Sequence, residues 1–193
     1  KRMSRIIAIA NQKGGVGKTT TSVNLSACLA EAGKKVLLVD LDPQGNTTSG
    51  LGVDKNNLEK TVYEVIGGEL KIKEVIIDEL FENLSLIPAN RNLAGAEIEL
   101  ITTENMQYIV KEKLGEIRDD YDFIILDCPP ALGMLTVNAM TAADQALAGI
   151  QSFIPVDQVI DAMREVGEKM DASLRETGLG GLAATPKGQE VTL

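Results

Sequence analysis

The stretch that most limits what this chain can fold into is "RIIAIANQKGGVGKTT", residues 5–20. An apolar run at residues 5–10 reads as a buried strand, and it leads through a glycine-rich loop into residues that can begin a helix. Gly14, Gly15 and Gly17 leave room for a backbone whose N–H groups all point inward; side chains there would block an approaching anion. A helix beginning at Lys18 aims its free N–H groups and positive dipole end at the same point. Lys18 can then reach the β- and γ-phosphates of a nucleotide, and the Thr19 hydroxyl can ligate Mg²⁺. The loop departs from the G-x-x-x-x-G-K-[ST] pattern at one position, where Gln12 replaces the first glycine. It also carries one lysine more than phosphate binding needs, Lys13.

The following segments supply a scaffold for such a loop. Val23, Leu25, Cys28 and Leu29 mark a helix over residues 19–32, with Gly33 as its stop. "KVLLVD", residues 35–40, reads as a second buried strand, ending in an acid. A strand, a helix and a strand in that order predict parallel pairing through a right-handed crossover. A turn-rich stretch covers residues 42–52, and helical patterns follow around 62–66 and 73–80. Residues 84–89 read as a strand, 93–102 and 106–117 as helices. "YDFIILDCPP", residues 121–130, is another buried strand, closed by an acid and a double proline that delays the next helix. The alternation predicts an α/β fold, a doubly wound and mostly parallel sheet with helices on both faces.

Three acids stand at predicted strand ends: Asp40, Asp42 and Asp127. In open α/β sheets, ligands collect beyond the carboxyl ends of the strands, so these acids should converge on the loop. Asp127 suits a metal-bound water, and Asp42 could orient an attacking one.

Composition narrows the partners. A net charge of -9 and a pI near 4.6 give no overall basic surface for nucleic acid, whose phosphates need clustered Lys and Arg. The only two cysteines, Cys28 and Cys128, form neither a disulfide framework nor a metal-ligand cluster. With free thiols and no apolar run long enough to span a bilayer, the expectation is a cytoplasmic chain that does not enter membranes.

"KGGVGKTT", "DLDPQGN" and "DFIILDCPP", joined by "LAGAEIEL" and "LGMLTVNAM", resemble the deviant Walker ATPases of the ParA/Soj partition family, within the MinD-like superfamily. The likeness covers about residues 3–144. It implies a P-loop NTPase fold that binds ATP and Mg²⁺, with Gly14, Gly15, Val16, Gly17, Lys18, Thr19 and Thr20 on the nucleotide. It further implies Thr19, Asp40 and Asp127 around the metal and Asp42 positioning the attacking water. In that family the extra lysine, here Lys13, reaches the nucleotide of a second subunit in an ATP-dependent homodimer, where a charge supplied in trans acts only when the partner is present. Slow hydrolysis then releases the dimer. The implied partners are a centromere-binding partition protein and nonspecific DNA, although the family's basic DNA-contacting residues lie largely in a later part that is not matched here.

After Asp144 the text changes. Residues 142–191, with "IPVDQVIDAM" and "LRETGLGGLAATPKG", resemble the C-terminal end of the iron–sulfur L-serine dehydratases. The expected organisation is therefore an ATPase domain at 1–144, C-terminally incomplete relative to its family, and a tail at 145–193. The tail should hold an amphipathic helix at about 157–176, with Val159, Ile160, Met163, Val166 and Met170 on one side, before an irregular glycine-rich end. A chimera and ordinary divergence both account for this. The base-binding wall of the family then looks missing, and a nucleotide-binding remnant without turnover is the alternative function. A dehydratase fragment is the third reading; its chemistry needs cluster cysteines, and none follows Cys128.

Overall fold

The computed structural model describes residues 4–11, 17–101, 105–131 and 133–148. All of these belong to one compact unit, Lys1–Gln151. The remainder, Ser152–Leu193, with the predicted helix at 157–176, lies outside the described residues.

Six strands form one sheet: β1 (Arg5–Ala10), β2 (Val36–Asp40), β3 (Ile77–Phe81), β4 (Leu84–Ile87), β5 (Phe123–Asp127) and β6 (Gln145–Ala148). Their spatial order is β3-β4-β2-β5-β1-β6. Every pairing is parallel except β3 with β4. The helices are α1 (Lys18–Glu31), α2 (Asn46–Gly50), α3 (Val62–Ile66), α4 (Ala96–Ile101), α5 (Ile109–Gly115) and α6 (Met134–Ala142).

The continuous apolar runs of the central strands follow from burial on both faces. Along β1, Ile6, Ala8 and Ala10 join a core shared with α3, α5 and α6, while Ile7 and Ile9 join a second core with Leu29 and Ala30 of α1. In β5, Ile124 and Leu126 face the first core, Phe123 and Ile125 the second. A residue-by-residue alternation with both sides covered is the doubly wound arrangement expected from the sequence.

Three local expectations are corrected. Residues 73–80 do not form a helix: a 3-10 turn at Ile72–Glu74 leads into β3, which returns antiparallel into β4. Phe81 pairs with Leu84, so the hairpin turns on Glu82 and Asn83 alone, and Asn83 takes the left-handed conformation (φ 62°). The ladder is irregular here, and Ser85 bridges it, donating to Asp78 at 2.7 Å and accepting from the Glu79 amide at 3.2 Å. The helices expected at 93–102 and 106–117 each open with a 3-10 turn, Arg91–Gly95 and Met106–Tyr108. On α1 the buried positions are Ser22, Ser26, Leu29 and Ala30, whereas Cys28 is exposed.

Past Asp144, β6 adds a parallel strand beside β1. Asp144 itself stitches the two: its amide donates to the Ile6 carbonyl (2.8 Å), and its carboxylate accepts from the Ile6 amide (2.9 Å) and Arg118 (2.6 Å). Among the described residues, no helix is long and apolar enough to cross a membrane.

Candidate active site at the strand ends

The chain steps from β1 over β5 to reach β2, so β5 lies between them and carries Asp127 to the centre of the carboxyl edge. In register, Asp127 stands opposite Ile9 of β1 and Asp40 of β2. Gly17 precedes α1 in a left-handed conformation (φ 83°), which a side chain would strain. From there α1 starts at Lys18, with its N-terminal turn beside the same acid.

Asp127 is buried (1% exposed), and each of its oxygens is met by hydroxyls. Thr19 and Thr47 donate to Oδ2 at 3.1 and 2.5 Å, and Ser22 donates to Oδ1 at 2.8 Å. Burial holds its carboxyl above the usual carboxylate range; the three hydroxyls pull it back down, and the nearby charge of Asp42 raises it further.

Asp40 is fully buried (0% exposed). Its Oδ2 accepts from the Thr48 amide (2.9 Å) and hydroxyl (2.8 Å), and its Oδ1 from the Asp42 amide (3.1 Å). Burial pushes this acid up to about 7 despite those bonds, with Asp127 adding to the rise. Thr48 completes a relay by accepting from the Ala89 amide at 2.9 Å, just past β4. Asp40 therefore clamps the loop that follows β2 to the next strand end.

Asp42 starts that loop. Its carboxylate accepts from the Gln44 amide (2.9 Å), and its carbonyl from the Gly45 amide (2.8 Å). Gly45 is left-handed (φ 59°), and a Cβ on it would sit 2.8 Å from the Ala89 carbonyl oxygen. Only glycine lets the turn lie this close to the backbone after β4.

Of the residues expected at a nucleotide, Gly17, Lys18, Thr19 and Thr20 surround the start of α1, and Asp40, Asp42 and Asp127 gather at the adjoining strand ends. Lys13, Gly14, Gly15 and Val16 lie outside the described residues. Ser22, Thr47 and Thr48 were missed by sequence reasoning. Glu97 was missed too; from α4 its carboxylate accepts from the Met134 and Leu135 amides (2.6 and 3.2 Å) and so caps α6. Cys128, beside Asp127, is buried and its thiol is pushed up to about 12, chiefly by desolvation. Its side chain packs in the core.

Among the described residues, no three Asp, Glu, His or Cys side chains cluster as a protein-only metal cage. The oxygen donors present suit Mg²⁺ nonetheless, since that ion is commonly held by one or two carboxylates with a substrate phosphate. Two buried acids on adjacent strands, both with raised proton affinity, are also groups that a nearby cation would relieve.

Comparison with known proteins agrees with this geometry. A family model described as an AAA domain matches residues 4–175. Soj, the sporulation initiation inhibitor protein of Bacillus subtilis, is 48% identical over 92% of this chain and 72% of its own length. The chromosome partitioning protein ParA of Myxococcus xanthus is 47% identical over 77% of this chain and 53% of its own. Among solved structures, cobyrinic acid a,c-diamide synthase of Mycobacterium smegmatis, with bound ADP and magnesium, superposes with a TM-score of 0.74 at 41% identity. That match covers 86% of this chain and 69% of the other, and gives the same P-loop NTPase-like fold. A match of this extent and identity decides the question of kinship: the chain belongs to the ParA/Soj family of ATPases.

Proposed function

We propose that this chain is a ParA-type ATPase that binds MgATP, dimerises on it and hydrolyses it slowly in the service of chromosome or plasmid partitioning. The observation that carries the reading is Asp127, beside Asp40 and held by two hydroxyls of α1 and one of α2, where the terminal phosphates of a nucleotide on Lys18 and Thr19 would lie.

Each residue has a derivable task. Lys18 and the amides at the start of α1, with Gly14, Gly15, Val16, Gly17 and Thr20, hold the phosphates. Thr19 and Asp127 face the metal position, and Asp40 supports it by fixing the loop from Asp42 to Thr48. Magnesium, when bound there, neutralises charge between the β- and γ-phosphates. Asp42 orients the attacking water, its carboxylate kept in place by the Gln44 amide. Lys13 completes the site of a second copy, so turnover depends on pairing. A centromere-binding protein and nonspecific DNA are the partners this reading implies. The dehydratase-like text after Asp144 we take as a tail of separate origin, although the family model runs on to residue 175; a sequencing read across the codons for residues 141–150 tests that directly.

Steady-state phosphate release from the full chain and from Asp42→Ala tests turnover. Release by the parent chain at several times the rate of the variant supports the ATPase. Indistinguishable rates, with nucleotide still bound, would make it a binding remnant.

A further inference from the structure

Helices commonly satisfy their first amides with the side chain of their own N-cap residue. In α6 the N-cap is Gly133, and the acceptor comes from another helix. Both carboxylate oxygens of Glu97 on α4 are used, one on the Met134 amide and one on the Leu135 amide. Gly133 makes room for them, since a Cβ there would overlap the Glu97 carboxylate. A cap for helix stability alone would need neither the distant acid nor the glycine. The arrangement ties α6 to α4.

That tie bears on the site because residues 128–133 alone join Asp127 to α6. The first half of this connection is stiff: Pro129 and Pro130 fix their own φ, and each restricts the residue before it. Its near end is held by the Cys128 amide donating to the Ile9 carbonyl (3.0 Å) and the Leu41 amide donating to the Asp127 carbonyl (2.9 Å). Further along, the Thr136 hydroxyl donates to the Ala131 carbonyl (2.7 Å). On the other side, α4 follows the turn Arg91–Gly95, and the Ala89 amide just before that turn is linked to Asp40 through the Thr48 hydroxyl. Asp40 stands in register with Asp127. Glu97 thus closes a ring of contacts that leaves Asp127 along the chain and returns to it through Asp40.

We propose that Glu97 is a positioning residue for Asp127. By holding the start of α6 to α4, it fixes the far end of residues 128–133 and so the setting of Asp127 at the metal position. The proposal rests on the MgATP reading of that site. α6 is secured independently as well, because Asn138 accepts from the Val110 amide (3.1 Å) and donates to the Met106 carbonyl (2.8 Å). Loss of Glu97 should therefore loosen the first turn of α6 and leave the fold in place.

Two variants of the full chain reach the contact from opposite sides: Glu97→Ala removes the carboxylate, and Gly133→Ala expels it. Gly133 has a φ of -102°, so the added methyl brings no backbone strain. Phosphate release at saturating MgATP should fall at least about tenfold in each, with MgATP affinity within about twofold of the parent. The double variant should be no slower than Glu97→Ala, since the methyl then has nothing to displace. Unchanged release in the folded single variants, or a loss of affinity as large as the loss of rate, would overturn the proposal. Amide exchange without nucleotide, followed by NMR, should quicken at Cys128 as well as at Met134 and Leu135 in both variants. A change confined to Met134 and Leu135 would reduce Glu97 to a helix cap and overturn the proposal. A parent chain without turnover would refute the ATPase reading, and exchange at Cys128 would still decide whether Glu97 holds the connection.

Discussion

Charge is handled in opposite ways at the two concave regions beside the end of β2. At the strand ends, Asp40 and Asp127 are withdrawn from water and surrounded by donors from α1, α2 and the backbone. In the cleft lined by Gln44, Lys55, Asn56, Arg91 and Asn92, Arg91 stays exposed and Lys55 partly so, and Gln44, Asn56 and Asn92 are exposed too. Buried acids without donors would cost several kcal/mol each, so the first region can exist only as a network in which every member holds the next. The second region needs no such support, since exposed cations cost little. The contrast separates a site organised in advance from an ordinary solvated surface.

Substitutions should respect that division. The largest effect is expected from Thr47→Val, which keeps the shape but removes the shortest donor to Asp127. Urea unfolding should show a loss of about 3 kcal/mol, and a loss below about 0.5 kcal/mol would mean that the hydroxyl network is not cooperative. Gly45→Ala comes next. Its methyl would press on the Ala89 carbonyl from a left-handed backbone, at a cost of about 2 kcal/mol in the same assay. Unchanged stability there would show that the turn after Asp42 can move freely from β4. The smallest effect is expected in the cleft, where Lys55→Gln and Arg91→Gln should each stay within about 0.5 kcal/mol of the parent. A larger loss at either would show that the cleft is part of the scaffold.

The same division explains how much was legible in the sequence. β1, β2 and β5 are unbroken apolar runs buried on both faces, and two of them end in an acid, so both the strands and the chemistry at their ends can be read from neighbouring residues. β3 could not be read this way. It is a half-exposed edge strand, its Ile and Leu residues fit a helical spacing as well, and its Glu82–Asn83 turn has no glycine to announce it. At the site, Lys18, Thr19 and the three acids follow from a local motif and from strand ends. Ser22 and Thr47 do not, because their partner lies 105 and 80 residues away in the chain and a hydroxyl has no spacing rule of its own. Glu97 is hidden for the same reason, reaching across to cap a helix that begins 37 residues later.

The most direct test is a calorimetric titration of the full chain with MgATP, run beside Lys18→Ala. One saturable site per chain, lost in the variant, is expected if the start of α1 and the acids around Asp127 receive a triphosphate. Absence of binding heat from the parent chain at millimolar MgATP, or equal affinity in Lys18→Ala, would contradict it.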